Sequence, residues 1–157
     1  MKEGALAGIR IVVTRAREQA GELSAKLAGL GAEVIEFPTI EIRAAEDYGP
    51  LEDAIREIAS YDWIIFTSVN GVRFFAERMQ SCGVTMAALR ARVCAIGPAT
   101  GRAVEALGLK VDLMPPEYVA ESLVAAFAGE DLAGKRILIP RAAVARDVAP
   151  EALASRG

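Results

Sequence analysis

Ile9-Arg10-Ile11-Val12-Val13-Thr14 is a β-branched run that breaks at the polar pair Thr14-Arg15, and the Ala-, Glu- and Leu-rich stretch after it carries Leu23, Leu27 and Leu30 at helical spacing. The pattern predicts a strand, a turn and a helix. Gly31 stands where a helix closes on a left-handed glycine, and Ala32 to Phe37 alternates as a second strand. Residues 8–37 therefore read as one βαβ unit. Pro38 interrupts the pattern, yet Ile40-Glu41-Ile42-Arg43 alternates again before the turn Asp47-Tyr48-Gly49-Pro50. This predicts an extended connector over 38–44, a domain boundary there, and a second lobe over 45–157.

Within that second lobe, Leu51, Ile55 and Ile58 mark a short helix, and Trp63-Ile64-Ile65-Phe66 has the all-apolar character of a strand buried on both faces. A helix from Val69 to Ser81 presents Val72, Phe74, Phe75 and Met79, a strand follows over Arg92–Ile96, and Gly97 opens a helix ending at Gly108. A strand over Lys110–Leu113, a helix over Val119–Ala128, a strand over Arg136–Ile139 and a last helix near Val148–Ser155 complete the alternation. Such alternation implies a doubly wound, mostly parallel α/β sheet with right-handed crossovers. The first βαβ unit has too little sheet to cover its own apolar faces, so the first lobe is expected to be incomplete, or completed by another chain.

Composition narrows the chemistry. The 157 residues, 53% of them hydrophobic and 25% charged, suffice for a buried core and exclude disorder of the whole chain. The chain has no histidine, which removes His-based triads and His-type zinc sites. Eighteen basic against 21 acidic residues, a net charge of −3, argue against nucleic acid as a partner. Cys82 and Cys94 form neither a metal-binding spacing nor a disulfide framework, and read as buried thiols in a reducing cytoplasm. No stretch is long and apolar enough to suggest a membrane span or signal peptide.

Parallel α/β sheets bind ligands at the carboxyl ends of their strands, where helix N-termini offer unpaired N–H groups. The turns at those places are Thr14-Arg15, Thr67-Ser68-Val69-Asn70-Gly71, Gly97-Pro98-Ala99-Thr100-Gly101, Pro115-Pro116-Glu117-Tyr118, and Pro140-Arg141 leading to Ala145-Arg146-Asp147. Hydroxyls, amides, glycines and arginines favour a polyanionic small molecule. Ser68, Asn70 and Thr100 could equally be plain helix caps, each worth about 1 kcal/mol, and Arg15 and Arg141 solvated strand ends. The glycines fit neither a dinucleotide fingerprint nor a P-loop, although a flavodoxin-type phosphate loop stays compatible. No serine occupies a nucleophile elbow and no carboxylate pair stands at neighbouring strand ends, so any reaction must rest on binding and orientation.

Taken together, the turns resemble the uroporphyrinogen-III synthase family. The blocks that carry the resemblance are Val12-Val13-Thr14-Arg15, Phe66-Thr67-Ser68-Val69-Asn70-Gly71-Val72, Ala95-Ile96-Gly97-Pro98-Ala99-Thr100, Ala120-Glu121-Ser122-Leu123, and Leu138-Ile139-Pro140-Arg141 with Ala145-Arg146-Asp147 and Pro150. The resemblance implies a flavodoxin-like, two-lobed architecture in which the chain starts one lobe, builds the second and returns to finish the first. It also implies a cofactor-independent hydro-lyase of heme biosynthesis that cyclises hydroxymethylbilane to uroporphyrinogen III, inverting ring D through an azafulvene and a spiro intermediate. Substrate carboxylates would be held between the lobes by backbone N–H and hydroxyl groups. The expected substrate-binding residues are Thr14, Arg15, Thr67, Ser68, Asn70, Gly71, Gly97, Thr100 and Arg141, with no catalytic residue assigned.

The family's cleft-facing tyrosine would lie beyond Gly157, and Tyr118 sits in the wrong block to replace it. Further expectations are a cytoplasmic protein, a monomer at full length, a functional link to hydroxymethylbilane synthase, and no metal, nucleic acid or membrane. The alternatives are a non-catalytic flavodoxin-like module binding a phosphate or other polyanion, and an interaction domain whose turn residues are only caps.

Overall fold

The β-branched run forms strand β1 (Arg10–Val13), followed by helix α1 (Arg17–Gly29) and strand β2 (Glu33–Glu36). This is a computed structural model, and it describes residues 4–117 and 120–142. Strands β1 and β2 pair in parallel, from Arg10 opposite Glu33 to Val13 opposite Glu36. Helix α1 ends in a Schellman motif: Gly31, at φ +91°, donates its N–H to the Ala28 carbonyl at 2.9 Å, and Ala32 donates to Leu27 at 3.1 Å. That closure turns the chain sharply enough for β2 to return beside β1. Val13, Ala16 and Ala20 are buried, whereas Val12, Ile35 and Phe37, on the other face of the two strands, are 55%, 42% and 64% exposed.

The alternation at Ile40–Arg43 does not become a strand. Pro38 has no N–H for a ladder, and the Thr39 N–H and hydroxyl both turn to the Thr14 carbonyl, at 3.2 and 3.1 Å. The chain divides into two compact units, Met1–Ala44 and Ala45–Gly157.

In the second unit, helix α2 (Gly49–Arg56) and a 3₁₀ turn at Ile58–Ser60 lead into β3 (Trp63–Phe66), α3 (Val69–Ser81), β4 (Arg92–Ala95), α4 (Pro98–Ala106), α5 (Ala120–Ala126) and β5 (Ile137–Leu138). The sheet order is β4-β3-β5 and both pairings are parallel, with Phe66 opposite Ala95 and Trp63 opposite Ile137. In chain order that is 2-1-3, the arrangement that begins a flavodoxin-like sheet. Strand β3 alternates between two cores. Ile64 and Phe66 pack with Ile55, Val72, Phe75, Met79, Val93 and Val104, while Trp63 and Ile65 pack with Cys94, Leu123, Phe127 and Leu132. Helices α2, α3 and α4 thus cover one face and α5 the other, which is why Trp63-Ile64-Ile65-Phe66 carries no polar residue. Edge-to-face ring pairs, Phe66–Phe75 at 5.3 Å and Trp63–Phe127 at 4.8 Å between centroids, anchor the two layers.

Three elements differ from their sequence prediction. The strand expected over Lys110–Leu113 is a single bridge, Leu113 to Cys94. Its ladder fails because the Asp112 carboxylate, not a backbone carbonyl, takes the Val93 N–H at 3.0 Å, and because Pro115 and Pro116 next in line have no N–H to give. Strand β5 is two residues long rather than four, and α5 ends at Ala126 rather than Ala128. The helix expected over Val148–Ser155 lies outside the described residues.

The amino ends of β3 and β5 are held together by charge. The Asp62 carboxylate accepts the Arg136 N–H at 2.9 Å and the Lys135 ammonium at 3.1 Å, and the Arg136 guanidinium pairs with Glu57 at 2.9 Å and lies 4.7 Å from the Tyr61 ring centroid. This staple sets the register of a strand too short to set its own.

Candidate functional site

Because β4, β3 and β5 are neighbours, the turns that leave their carboxyl ends are neighbours too. The chain leaves β3 toward β4 on one side and later places β5 on the other, so the crossovers diverge between β3 and β5; such switch points leave a crevice for ligands.

After β3, Ser68 is extended (φ −158°, ψ 157°) and caps α3: its Oγ accepts the Gly71 N–H at 3.1 Å. The cap uses the hydroxyl as acceptor and leaves its O–H free to donate to a ligand from an exposed position. Asn70 lies inside the first turn of α3, so it is not the cap. Gly71 is a close-approach glycine. A Cβ there would stand 3.0 Å from the Pro140 carbonyl oxygen and 3.5 Å from Ser68 Oγ, so its lack of a side chain lets the turn after β5 lie against α3. Pro140 is buried and Arg141 exposed beside it.

After β4, Gly97 is buried at φ +90°, ψ 152°, and α4 starts at Pro98 with no side-chain cap. Thr100 is therefore no cap either. It sits in the first turn of α4 at 4% exposure; its hydroxyl makes no hydrogen bond among the described residues but is not an enclosed atom, since the buried side-chain oxygen left without a partner among them is Ser24 Oγ. The first hydrogen bond closing this helix runs from the Gly101 N–H to the Gly97 carbonyl at 2.9 Å, which leaves the Ala99 and Thr100 N–H groups without an acceptor among the described residues. Thr67, Ile96, Gly97, Pro98, Ala99 and Thr100 line one open depression of about 420 Å³. Hydroxyls and a helix N-terminus in such a place suit an anion or a carbonyl oxygen.

In the first unit, Thr14 and Arg15 are both exposed, and the Thr14 carbonyl is engaged by Thr39. A depression of about 490 Å³ in that unit is lined by Arg17, Glu18, Pro38, Thr39, Ile40 and Glu41. Of the nine expected binding residues, the structure thus brings Thr67, Gly97 and Thr100 into one depression. It places Ser68 in the adjoining α3 cap and Asn70 and Gly71 in the first turn of that helix, with Arg141 following the Pro140 that Gly71 abuts. Ile96, Pro98 and Ala99 also line the depression and are not among those nine, although Pro98 and Ala99 stand in a turn the sequence marks as a ligand-binding place. The Gly-Pro pair was the available signal for the last two, whereas Ile96 read as the end of a buried strand.

Titration behaviour sets the thiols apart from this site. Burial pushes the Cys94 thiol up to about 12, so it stays protonated, and Cys82 is half-buried. Among the described residues no helix is long and apolar enough to cross a membrane, and no three His, Cys, Asp or Glu side chains come together as a metal site.

The sequence profile of the family described as Uroporphyrinogen-III synthase HemD matches residues 21–157. A uroporphyrinogen-III synthase of Synechococcus elongatus is 37% identical over 158 residues, covering 100% of this chain and 60% of that protein. A porphyrin biosynthesis protein HemD of Ruminiclostridium josui is 34% identical over 143 residues, covering 90% of this chain and 28% of that protein. The chain therefore spans less than two thirds of either relative. Among solved structures, a mutant uroporphyrinogen III synthase of Thermus thermophilus superposes with a TM-score of 0.69 at 21% identity, covering 96% of this chain and 58% of that one, a likeness of fold.

Proposed function

The chain belongs to the uroporphyrinogen-III synthase family, and from that membership we propose that it acts on hydroxymethylbilane, closing the linear tetrapyrrole to uroporphyrinogen III with loss of water and inversion of ring D. Water leaves from the hydroxymethyl end, the substituted carbon of ring D attacks the methylene of the resulting azafulvene to give the spiro intermediate, and that intermediate rearranges: the bond from this carbon to its original methylene bridge breaks, and the bridge re-forms at the free α-carbon of ring D with loss of a proton. No cofactor enters the proposed reaction. Unassisted closure yields the unrearranged type I isomer, so the protein's part is to hold the ring carboxylates where the spiro route is faster. About 1.4 kcal/mol of differential positioning already shifts the ratio tenfold. In this reading residues 38–44 connect lobe 1, begun by the βαβ unit of residues 1–37, to lobe 2 at 45–157. The protein works in the cytoplasm downstream of hydroxymethylbilane synthase.

One observation carries the substrate class: Thr100 lines a depression into which the open N-terminus of α4 also feeds, and the Ala99 and Thr100 N–H groups there have no acceptor among the described residues. Hydroxyls and unpaired N–H groups at a helix N-terminus favour a negatively charged oxygen, and a substrate carboxylate supplies one. Thr67 and the Ser68 O–H add donors beside it, and Thr14, Arg15, Asn70, Gly71, Gly97 and Arg141 complete the proposed binding set by contact or by shaping the turns.

The test is the isomer ratio of uroporphyrin formed when the chain is added to freshly generated hydroxymethylbilane. Excess type III over buffer is expected, and type I alone overturns the activity proposed for this chain. Two variants probe the site separately. Thr100→Val keeps the shape and removes a hydroxyl that bonds nothing in the described protein, so stability should stay within about 1 kcal/mol while tetrapyrrole affinity falls by about 1.5–3 kcal/mol. Ser68→Ala should cost about 1 kcal/mol of stability through the lost cap. Equal losses of stability and affinity in Thr100→Val would make Thr100 a packing residue.

A further inference from the structure

We infer that Ile96 is a specificity-determining residue: the apolar wall of the depression at the carboxyl end of β4, against which one pyrrole ring of the substrate seats while its acidic arms reach Thr100 and the α4 N-terminus. The inference rests on the substrate class proposed above. Ile96 lines the depression together with Thr67, Gly97, Pro98, Ala99 and Thr100, and it is only half-buried. At the same time it packs against the core that contains Trp63, Leu123 and Phe127, and its N–H is held by the Phe66 carbonyl at 2.9 Å. Its hydrocarbon thus runs from a rigid core to the depression, and its backbone is tied to the central strand rather than carried on a free loop.

The other lining groups supply the opposite chemistry. Two hydroxyls and two unpaired N–H groups call for a ligand with oxygen acceptors, and Ile96 and Pro98 call for an apolar body beside them. A flat heteroaromatic ring with carboxylates on short methylene arms has that division of polarity; inorganic phosphate does not. At about 420 Å³ the depression lies toward the small end of ligand pockets, which run from about 300 to 1,000 Å³, and so suits one substituted ring rather than a whole tetrapyrrole.

The test titrates the chain with uroporphyrin III, followed by porphyrin fluorescence, beside Ile96→Phe and Ile96→Val, with thermal midpoints recorded in parallel. Ile96→Phe extends into the depression while keeping the core apolar, and should weaken affinity tenfold or more with the midpoint held. Ile96→Val removes one methyl group and should weaken affinity about two- to fourfold, which keeps the test intact if the larger residue perturbs folding. Unchanged affinity in both variants, or a lowered midpoint at unchanged affinity, overturns the role of Ile96 while leaving the Thr100 reading in place. Wild-type chain that binds no uroporphyrin overturns both.

Discussion

Gly97 holds backbone angles of φ +90° and ψ 152°, a region open in practice to glycine alone, and it does so while buried between β4 and α4. Those angles let the chain leave the strand and enter a helix within two residues, Ile96 and Gly97, which aims the first N–H groups of α4 back over the sheet end. A Cβ at this position costs about 1–3 kcal/mol of strain. Gly97→Ala should lower unfolding free energy by about that amount in urea titrations, and should weaken uroporphyrin binding further than its stability loss explains, because the α4 N-terminus is re-aimed. Binding unchanged at reduced stability would make Gly97 a folding residue only. Gly71 presents a different demand at the same scale: its backbone is helical, and what it supplies is clearance for the Pro140 carbonyl.

Among the elements, β5 depends on charge as much as on its ladder. The Asp62 carboxyl is held below its ordinary 3.8 first by the Arg136 N–H and second by the Lys135 ammonium. For Asp112, desolvation pushes the carboxyl up, but the Val93 N–H, Lys110 and Arg92 outweigh it and leave the group lowered as well. A carboxyl depressed in the folded state contributes stability that is present above its unfolded value and lost as pH falls through the folded one. The loss therefore falls below about pH 4. Asp62→Asn should be less stable than wild type at pH 7, and the difference should shrink steadily in urea titrations carried from pH 4 toward pH 2. A constant difference over that range would mean the staple acts through packing instead.

The same two aspartates show what was legible beforehand. Helix α3 has its predicted bounds, Val69–Ser81, because its cap, its apolar spacing and its end are all local. The segment Lys110–Leu113 does not pair as predicted, because Asp112 meets Val93 across 19 positions of chain and replaces a strand bond with a side-chain bond. At the site, the strand-to-helix turns were readable from the order of elements alone. The burial of Thr100 and the lining role of Ile96 were not, since each depends on how the end of β4 sits against β3 and α4.

At the scale of the whole molecule, the two units bury very different amounts of apolar surface. Unit 2 encloses β3 completely, with Trp63, Ile64, Ile65 and Phe66 at 0–3% exposure between two cores. Among its described residues unit 1 rests on two strands and one helix, the buried ones are Val13, Ala16 and Ala20, and Ile9, Val12, Ile35, Phe37 and Ile40 stand open. A two-stranded sheet is marginal by itself in water, and local opening takes little free energy where few apolar contacts must break. Amides of Arg10–Val13 and Glu33–Glu36 should accordingly exchange with deuterium at least about a hundredfold faster than those of Trp63–Phe66 and Arg92–Ala95, a gap of about 2.7 kcal/mol in opening free energy. Raising the protein concentration discriminates the source of any protection found in β1 and β2. Protection that grows with concentration would mean that copies of the chain cover the open face in solution. Protection equal to that of β3 and independent of concentration would mean that three buried side chains and a helix suffice to hold the sheet, contrary to what so small a buried surface predicts.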